Sequence, residues 1–227
     1  MKSLRRPVVY CGVTYPEYEI DFYTSNVYSL RSNDRILKPI DSGNGGYLKY
    51  RFCVGVMEKS ISKHKILAET FPDLLSKSPL VSHYDLKIGI RDRHELKTPT
   101  GFTFFCNMVC TDHINHDRGN NYHTNLMIVT QHENILKCGP KKGKSSKHKC
   151  VYKRHWGTYL VMVSFSNILD ENGKSFYTSK HFKTEEEAAL RSNTMLEEAM
   201  LTIWGPDLGP KMYDFAYKNV IEVPARV

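Results

Sequence analysis

Long apolar runs are missing from this 227-residue chain. No stretch approaches the roughly 18 to 20 residues that a membrane-spanning helix needs. The opening Met1-Lys2-Ser3-Leu4-Arg5-Arg6-Pro7 has no apolar core of the signal-peptide kind, so a cytoplasmic protein without membrane contact is expected. Close-spaced cysteine pairs are missing as well: Cys11, Cys53, Cys106, Cys110, Cys138 and Cys150 include no CxxC. Buried free thiols in a reducing compartment are the preferred state. A structural Zn²⁺ is not expected, although Cys106 and Cys110 on one side and Cys138 and Cys150 on the other bracket the motif described below. The chain also has neither the aromatic-rich RNP pattern nor the KH loop of the common RNA-binding modules.

Excess acid is absent too. Thirty-two Lys and Arg against 24 Asp and Glu leave a formal charge of +8, and the isoelectric point is near 9.1. An acidic partner follows, nucleic acid first and an anionic membrane surface second. The 41% hydrophobic content excludes a disordered chain and allows one or two domains with small modules.

Chemistry concentrates in one stretch. Asp112-His113-Ile114-Asn115 is followed by Asn120-Asn121, Thr124-Asn125-Leu126 and Val129-Thr130-Gln131-His132-Glu133-Asn134. Hydrolysis of a phosphodiester needs a base for the attacking water and positive charge at the phosphate. An imidazole titrating near 6.5 suits the first task, and His113 is the candidate base. Asp112 and the amide oxygen of Asn134 are hard oxygen ligands that leave coordination sites open, which suits Mg²⁺, with Mn²⁺ as the substitute. Asn125 is assigned to the loop that aims His113. The expected local order is strand, loop, strand, helix, with His113 ending the first strand and Asn134 on the helix.

This set, DH then NN, NL, VT and EN, resembles the HNH homing endonucleases of the phage and intron-encoded type. That resemblance implies Asp112 and Asn134 as metal ligands, His113 as general base, Asn125 as the middle member of the triad, and products with 5′ phosphate and 3′ hydroxyl. It also implies double-stranded DNA as partner, bound by a monomer, and the host cell cytoplasm if the protein is phage-encoded. The sequence departs from the family at His116, where Gly is usual, and at Met127-Ile128, where Arg-Trp is common.

Around the motif the chain reads as modules. Residues 7–58 form a β-rich N-terminal module in which Tyr47-Leu48-Lys49-Tyr50-Arg51-Phe52-Cys53-Val54 alternates, leaving Lys49 and Arg51 on one face as DNA contacts or as a plain solvated face. The order of its segments is similar to the module that precedes the nuclease in these endonucleases. Residues 59–136 are the nuclease unit, opened by a short helix around His64-Lys65-Ile66-Leu67-Ala68 in which His64 is structural, and interrupted by an unassigned insertion at about 73–100. A basic linker, 137–147, carries Lys141, Lys142 and Lys144, and with Lys147 and Lys149 it either follows phosphates or merely solubilises. Residues 148–210 give three antiparallel strands, with an Asp170-Glu171-Asn172-Gly173 turn, and a helix capped by Thr184 and Glu187 that buries Ala189, Leu196, Met200 and Ile203. This last segment resembles the APETALA2-type DNA-binding domain. The resemblance implies DNA contacts at Lys153, Arg154, Trp156, Tyr159, Lys174 and Lys180, with Cys150 where Gly is usual and Tyr159 where Trp is.

The expected whole is an α+β protein, a ββα-metal nuclease unit flanked by two small modules. Its expected activity is site-specific cleavage of duplex DNA. The alternative is a non-catalytic DNA-binding protein that keeps a relic nuclease fold.

Overall fold

A computed structural model of the chain describes residues 3–43, 46–54, 57–89, 92–140 and 143–220. The fold is mixed α and β, and the backbone gathers into two compact units. One comprises Met1–Asp92 and Met108–Gln131, the other Arg93–Asn107 and His132–Val227. Among the described residues no helix is long and apolar enough to cross a membrane.

The first unit opens with β1 (Arg5–Tyr10) and β2 (Val13–Asp21). Cys11 and Gly12 join them at φ +53° and +73°, the two left-handed positions of a tight hairpin turn whose twist matches that of the strands. Two short strands, β3 (Val27–Ser29) and β4 (Arg35–Ile36), complete an antiparallel sheet in chain order. A second sheet runs β5 (Ile40–Asp41), β6 (Leu48–Val54) and β7 (Met57–Ser62). The alternation in β6 resolves as its sequence demands. Tyr50 and Phe52 are buried while Arg51 is exposed, and Phe52 meets Tyr18 edge to face at 4.8 Å.

Helix α1 (Lys63–Thr70) follows, buries Ile66, Leu67 and Ala68, and ends just before Phe71-Pro72 because the residue preceding a proline resists helical backbone. The segment after Pro72, read as an insertion, supplies β8 (Ser76–Lys77) and α2 (Pro79–His83). β8 runs parallel to a strand of the hairpin described next.

The chain then leaves for the second unit with β9 (His94–Lys97) and β10 (Thr103–Cys106), and returns for β11 (Val109–His113) and β12 (Leu126–Thr130). β11 and β12 pair antiparallel, with His113 opposite Leu126 and Asp112 opposite Met127. α3 (Gln131–Lys137) follows directly, so the expected strand, strand, helix order is present.

In the second unit β13 (Val151–Lys153), β14 (Tyr159–Leu169) and β15 (Ser175–Phe182) are the three strands read from the sequence. The sheet is larger than three strands: after a register shift beyond Phe165, the end of β14 pairs with β10, Ile168 opposite Phe104, and β9 extends the edge. The Asp170 turn closes as expected, its Oδ1 accepting from Asn172 N and Lys174 N at 2.9 Å.

α4 spans Glu185–Phe215. Thr184 Oγ1 accepts from Glu187 N at 3.2 Å, and Ala189, Leu196, Met200 and Ile203 are buried as read. The span runs past Pro210 and is broken at Gly205 (φ +72°, ψ −178°), a conformation that only glycine adopts without strain. Beyond the break Gly209 lies against the preceding helix, where an added Cβ would meet Leu201 Cα and Met200 O at 2.9 Å. Backbone cannot yield as a side-chain tip can. Gly209→Ala is expected to lower stability by about 1–3 kcal/mol, read from the urea midpoint. An unchanged midpoint would refute this close approach.

Candidate active site

His113 ends β11 and is buried, with 4% of its surface exposed. Its Nε2 lies 3.3 Å from Asn121 Oδ1. The orientation of that amide is set from its other end, since Asn121 Nδ2 donates to Gly119 O at 2.9 Å. An oxygen facing Nε2 makes Nε2 the protonated nitrogen and leaves the basic lone pair on Nδ1. Burial pushes the His113 pKa down, with Arg118 pushing the same way, against Asn121, Asp112 and Asp117, which favour the cation. The group is thus held as the neutral, proton-accepting form at neutral pH.

Asn125 braces the loop after His113 rather than reaching toward it. Its Oδ1 accepts from Asn115 N at 3.0 Å and its Nδ2 donates to Asn120 O at 2.8 Å, which ties both ends of the 115–120 excursion to the start of β12. Inside the loop Asn115 Oδ1 accepts from Asp117 N, and Asp117 Oδ1 from Gly119 N, both at 2.9 Å. His116 has φ +63°. That is a left-handed backbone, which favours Gly.

The N-terminal sheets support this arrangement from behind. Ser25 Oγ donates to Asn121 O at 2.8 Å, and Tyr50 OH reaches Ser25 O at 3.4 Å. Asn121 belongs to the motif but is given no role of its own by the sequence, and Ser25 and Tyr50 lie outside the motif; nothing local in Ser25 marks a contact 96 positions away.

A second histidine adjoins the first. The His64 ring, on α1, stands edge-on to His113 at 5.1 Å, and Tyr47 lies 5.1 Å from His64 and 6.0 Å from His113. Burial pushes His64 down to about 3, with His113 and Lys65 adding to the shift. Its Nδ1 has no hydrogen-bond partner among the described residues.

Asp112 is half-buried on β11 beside His113, and Asn134 is half-buried on α3. A carboxylate and a carboxamide are oxygen donors of the hard kind, which fits Mg²⁺ or Mn²⁺ and not a thiolate-seeking ion. Among the described residues no three His, Cys, Asp or Glu side chains gather into a metal cluster; of the cysteines, expected to be buried thiols, only Cys106 is buried, Cys110 and Cys150 are half-buried, and Cys11, Cys53 and Cys138 are exposed.

The candidate DNA contacts are dispersed. Lys49 is half-buried and Arg51 is exposed but lies 3.7 Å from Glu58. Lys141 and Lys142 fall outside the described residues, and Lys144 is exposed. Lys149, read with the linker charges, turns inward: its Nζ donates to Leu136 O, to Ile135 O at 3.0 Å and to Cys138 O at 2.7 Å, capping the C-terminus of α3. Arg154 and Trp156 occupy the exposed β13–β14 connection, where the Trp156 and His155 ring centroids are 3.8 Å apart. Lys174 is exposed at the β15 turn. By register, Lys153, Tyr159 and Lys180 share the sheet face of Val161 and Phe182, whereas Tyr152, Ser164 and Tyr177 occupy the opposite face.

No protein-family model matches the chain, and no curated protein matches it. Among solved structures it is similar to one described as "DNA binding and cleavage by the HNH homing endonuclease I-HmuI", at 20% identity and a TM-score of 0.37. The match covers 58% of this chain and 55% of that one, so the chain spans about half the length of the neighbour it matches.

Proposed function

We propose that the chain is a metal-dependent endonuclease of the HNH homing type that hydrolyses a phosphodiester in duplex DNA. One observation carries the proposal: a buried imidazole kept neutral beside a carboxylate, its tautomer set by Asn121 and its loop braced by Asn125. His113 Nδ1 takes the proton of the attacking water. Asn121 holds the ring by Nε2, so the lone pair keeps one direction through the reaction. A divalent cation held by Asp112 would supply positive charge for the phosphate oxygens and the leaving 3′ oxygen; Asn134, the second oxygen donor expected from the sequence, belongs to the other compact unit. The positive charge of the whole chain draws the polyanion to it and releases counterions on contact.

The test is conversion of supercoiled plasmid carrying candidate target sites to open circle, with Mg²⁺ or EDTA, by wild type and by His113→Ala. Mg²⁺-dependent nicking that falls at least about a hundredfold in the variant is expected. Equal cutting by both proteins would remove His113 from the mechanism. Binding by both without any cutting would favour the relic-nuclease alternative.

A further inference from the structure

Beside the candidate base stands an arginine that no part of the proposed chemistry has used. Arg118 sits at the tip of the 115–120 loop, exposed, with its guanidinium carbon 5.0 Å from the centroid of the Tyr47 ring. Tyr47 in turn is the ring next to both His64 and His113. The loop that carries Arg118 is fixed at both ends by Asn125 and internally by Asn115 and Asp117. It also runs close to the segment leading into Tyr47: a Cβ on Gly119 would lie 3.9 Å from Gly46 O and 3.3 Å from Asp117 Oδ1.

The surroundings of most other arginines differ. Among the described residues of this unit Arg5, Arg6, Arg31 and Arg51 each lie within ion-pair distance of a carboxylate, Asp34, Asp73, Glu17 and Glu58, whereas Arg35 on β4 and Arg118 do not, and of these two Arg118 is the one next to the candidate base. Arg118 is held by an aromatic face, which orients the guanidinium plane without neutralising it. Its charge is felt at His113. A planar fork, pre-oriented and carrying its full charge next to a base for phosphodiester hydrolysis, has the chemistry of a phosphate clamp.

We infer that Arg118, seated on Tyr47, grips a backbone phosphate of the DNA strand that lies against His113. The inference rests on the nuclease reading for what happens at that phosphate, but the grip itself is a binding contact and is measured without catalysis. A guanidinium that neutralises one phosphate releases its counterion, so its loss changes the salt dependence of binding.

The experiment measures affinity of the full chain for a fluorescent duplex oligonucleotide across a salt series, with plasmid nicking in parallel, for wild type, Arg118→Ala, Tyr47→Ala and the double variant. Arg118→Ala is expected to reduce the slope of log affinity against log salt by about 1, and to slow nicking about tenfold or more. Tyr47→Ala is expected to lose part of the slope, and the double variant no more than Arg118→Ala, because the ring acts only through the guanidinium. A wild-type slope in Arg118→Ala overturns the clamp, as does an additive loss in the double variant. If the wild type cuts no DNA, the nuclease reading fails, while the slopes still decide the clamp.

Discussion

Lowering the pH from 7 to 4 is expected to remove about 3 kcal/mol of stability from the second unit through His132 alone. His132 opens α3 and is buried among aromatic rings, 5.2 Å from Phe165 and 5.5 Å from Phe104, with Trp204 at 6.3 Å. Burial pushes it down to about 4, Lys149 adds to the shift, and a hydrogen bond with Asn167 opposes it. An unfolded chain takes up this proton near pH 6.5. Between about 6.5 and 4 the unfolded state therefore binds more protons than the folded one, and stability must fall as the pH falls. The contribution is complete above about 6.5 and exhausted at about 4.

His64, pushed down to about 3, imposes a loss of the same sign and similar size on the first unit, with its window reaching lower. Against total stabilities of roughly 5–15 kcal/mol, either loss is large. Urea unfolding at pH 7 and 4.5 measures it. His132 Nε2 has no partner among the described residues, so His132→Phe gives up little hydrogen bonding there and should flatten much of the dependence. A wild-type midpoint that is the same at both pH values would contradict the burial of these imidazoles.

The second large effect is expected at Asn219. This side chain behaves as a surrogate strand: Oδ1 accepts from Lys149 N at 2.7 Å while Nδ2 donates to Lys149 O at 3.0 Å and to Ser192 Oγ at 2.6 Å. Asn193 returns the arrangement, accepting from Asn219 N at 2.9 Å and donating to Asn219 O at 3.0 Å. Every polar atom of Asn219 is used, at 7% exposure. Asn219→Ala leaves the Lys149 N–H and C=O short of partners, each costing about 1–3 kcal/mol when buried, while Ser192 Oγ keeps its bond to Ala189 O. A total loss of about 3–4 kcal/mol is expected, read from thermal or urea unfolding, and a loss under about 1 kcal/mol would show the network to be incidental. Cys150, next to Lys149, has φ +63°; the two pairings hold the backbone where the chain makes that left-handed step.

What could be read from the sequence followed from period and local chemistry. The alternation of Tyr50 and Phe52, the stripe of α4, the Asp170 turn and the order of β11, β12 and α3 are each written within about twenty residues. That Asn125 belongs to the loop after His113 was also legible, and its side chain ties Asn115 and Asn120 there. Contacts between distant residues were not. Asn219 reaches back 70 positions to Lys149, and no local pattern marks Val109 or Phe104 as belonging to different sheets. Lys149 was grouped with linker charges because charge spacing says nothing about whether a stem points inward. The helical span past Pro210 was lost because two Gly-Pro steps look like an ending, whereas the structure uses the first as a break and the second as a place of close packing.

The path of the backbone between its two units bears on how such a gene can be rearranged. The chain passes from one unit to the other at 92/93, 107/108 and 131/132, and β9 and β10, encoded inside the sequence of the first unit, form the far side of the sheet of the second. A crossover in the basic stretch near 137–147 would look harmless on paper. It would deliver a β14 whose last residues have lost their partner, and strand a two-stranded hairpin in a recipient with nothing to pair it. Exchange of the C-terminal segment between chains with this connectivity must therefore carry residues 93–107 along with everything beyond the crossover, or proceed by substitution at single positions on a sheet that stays whole.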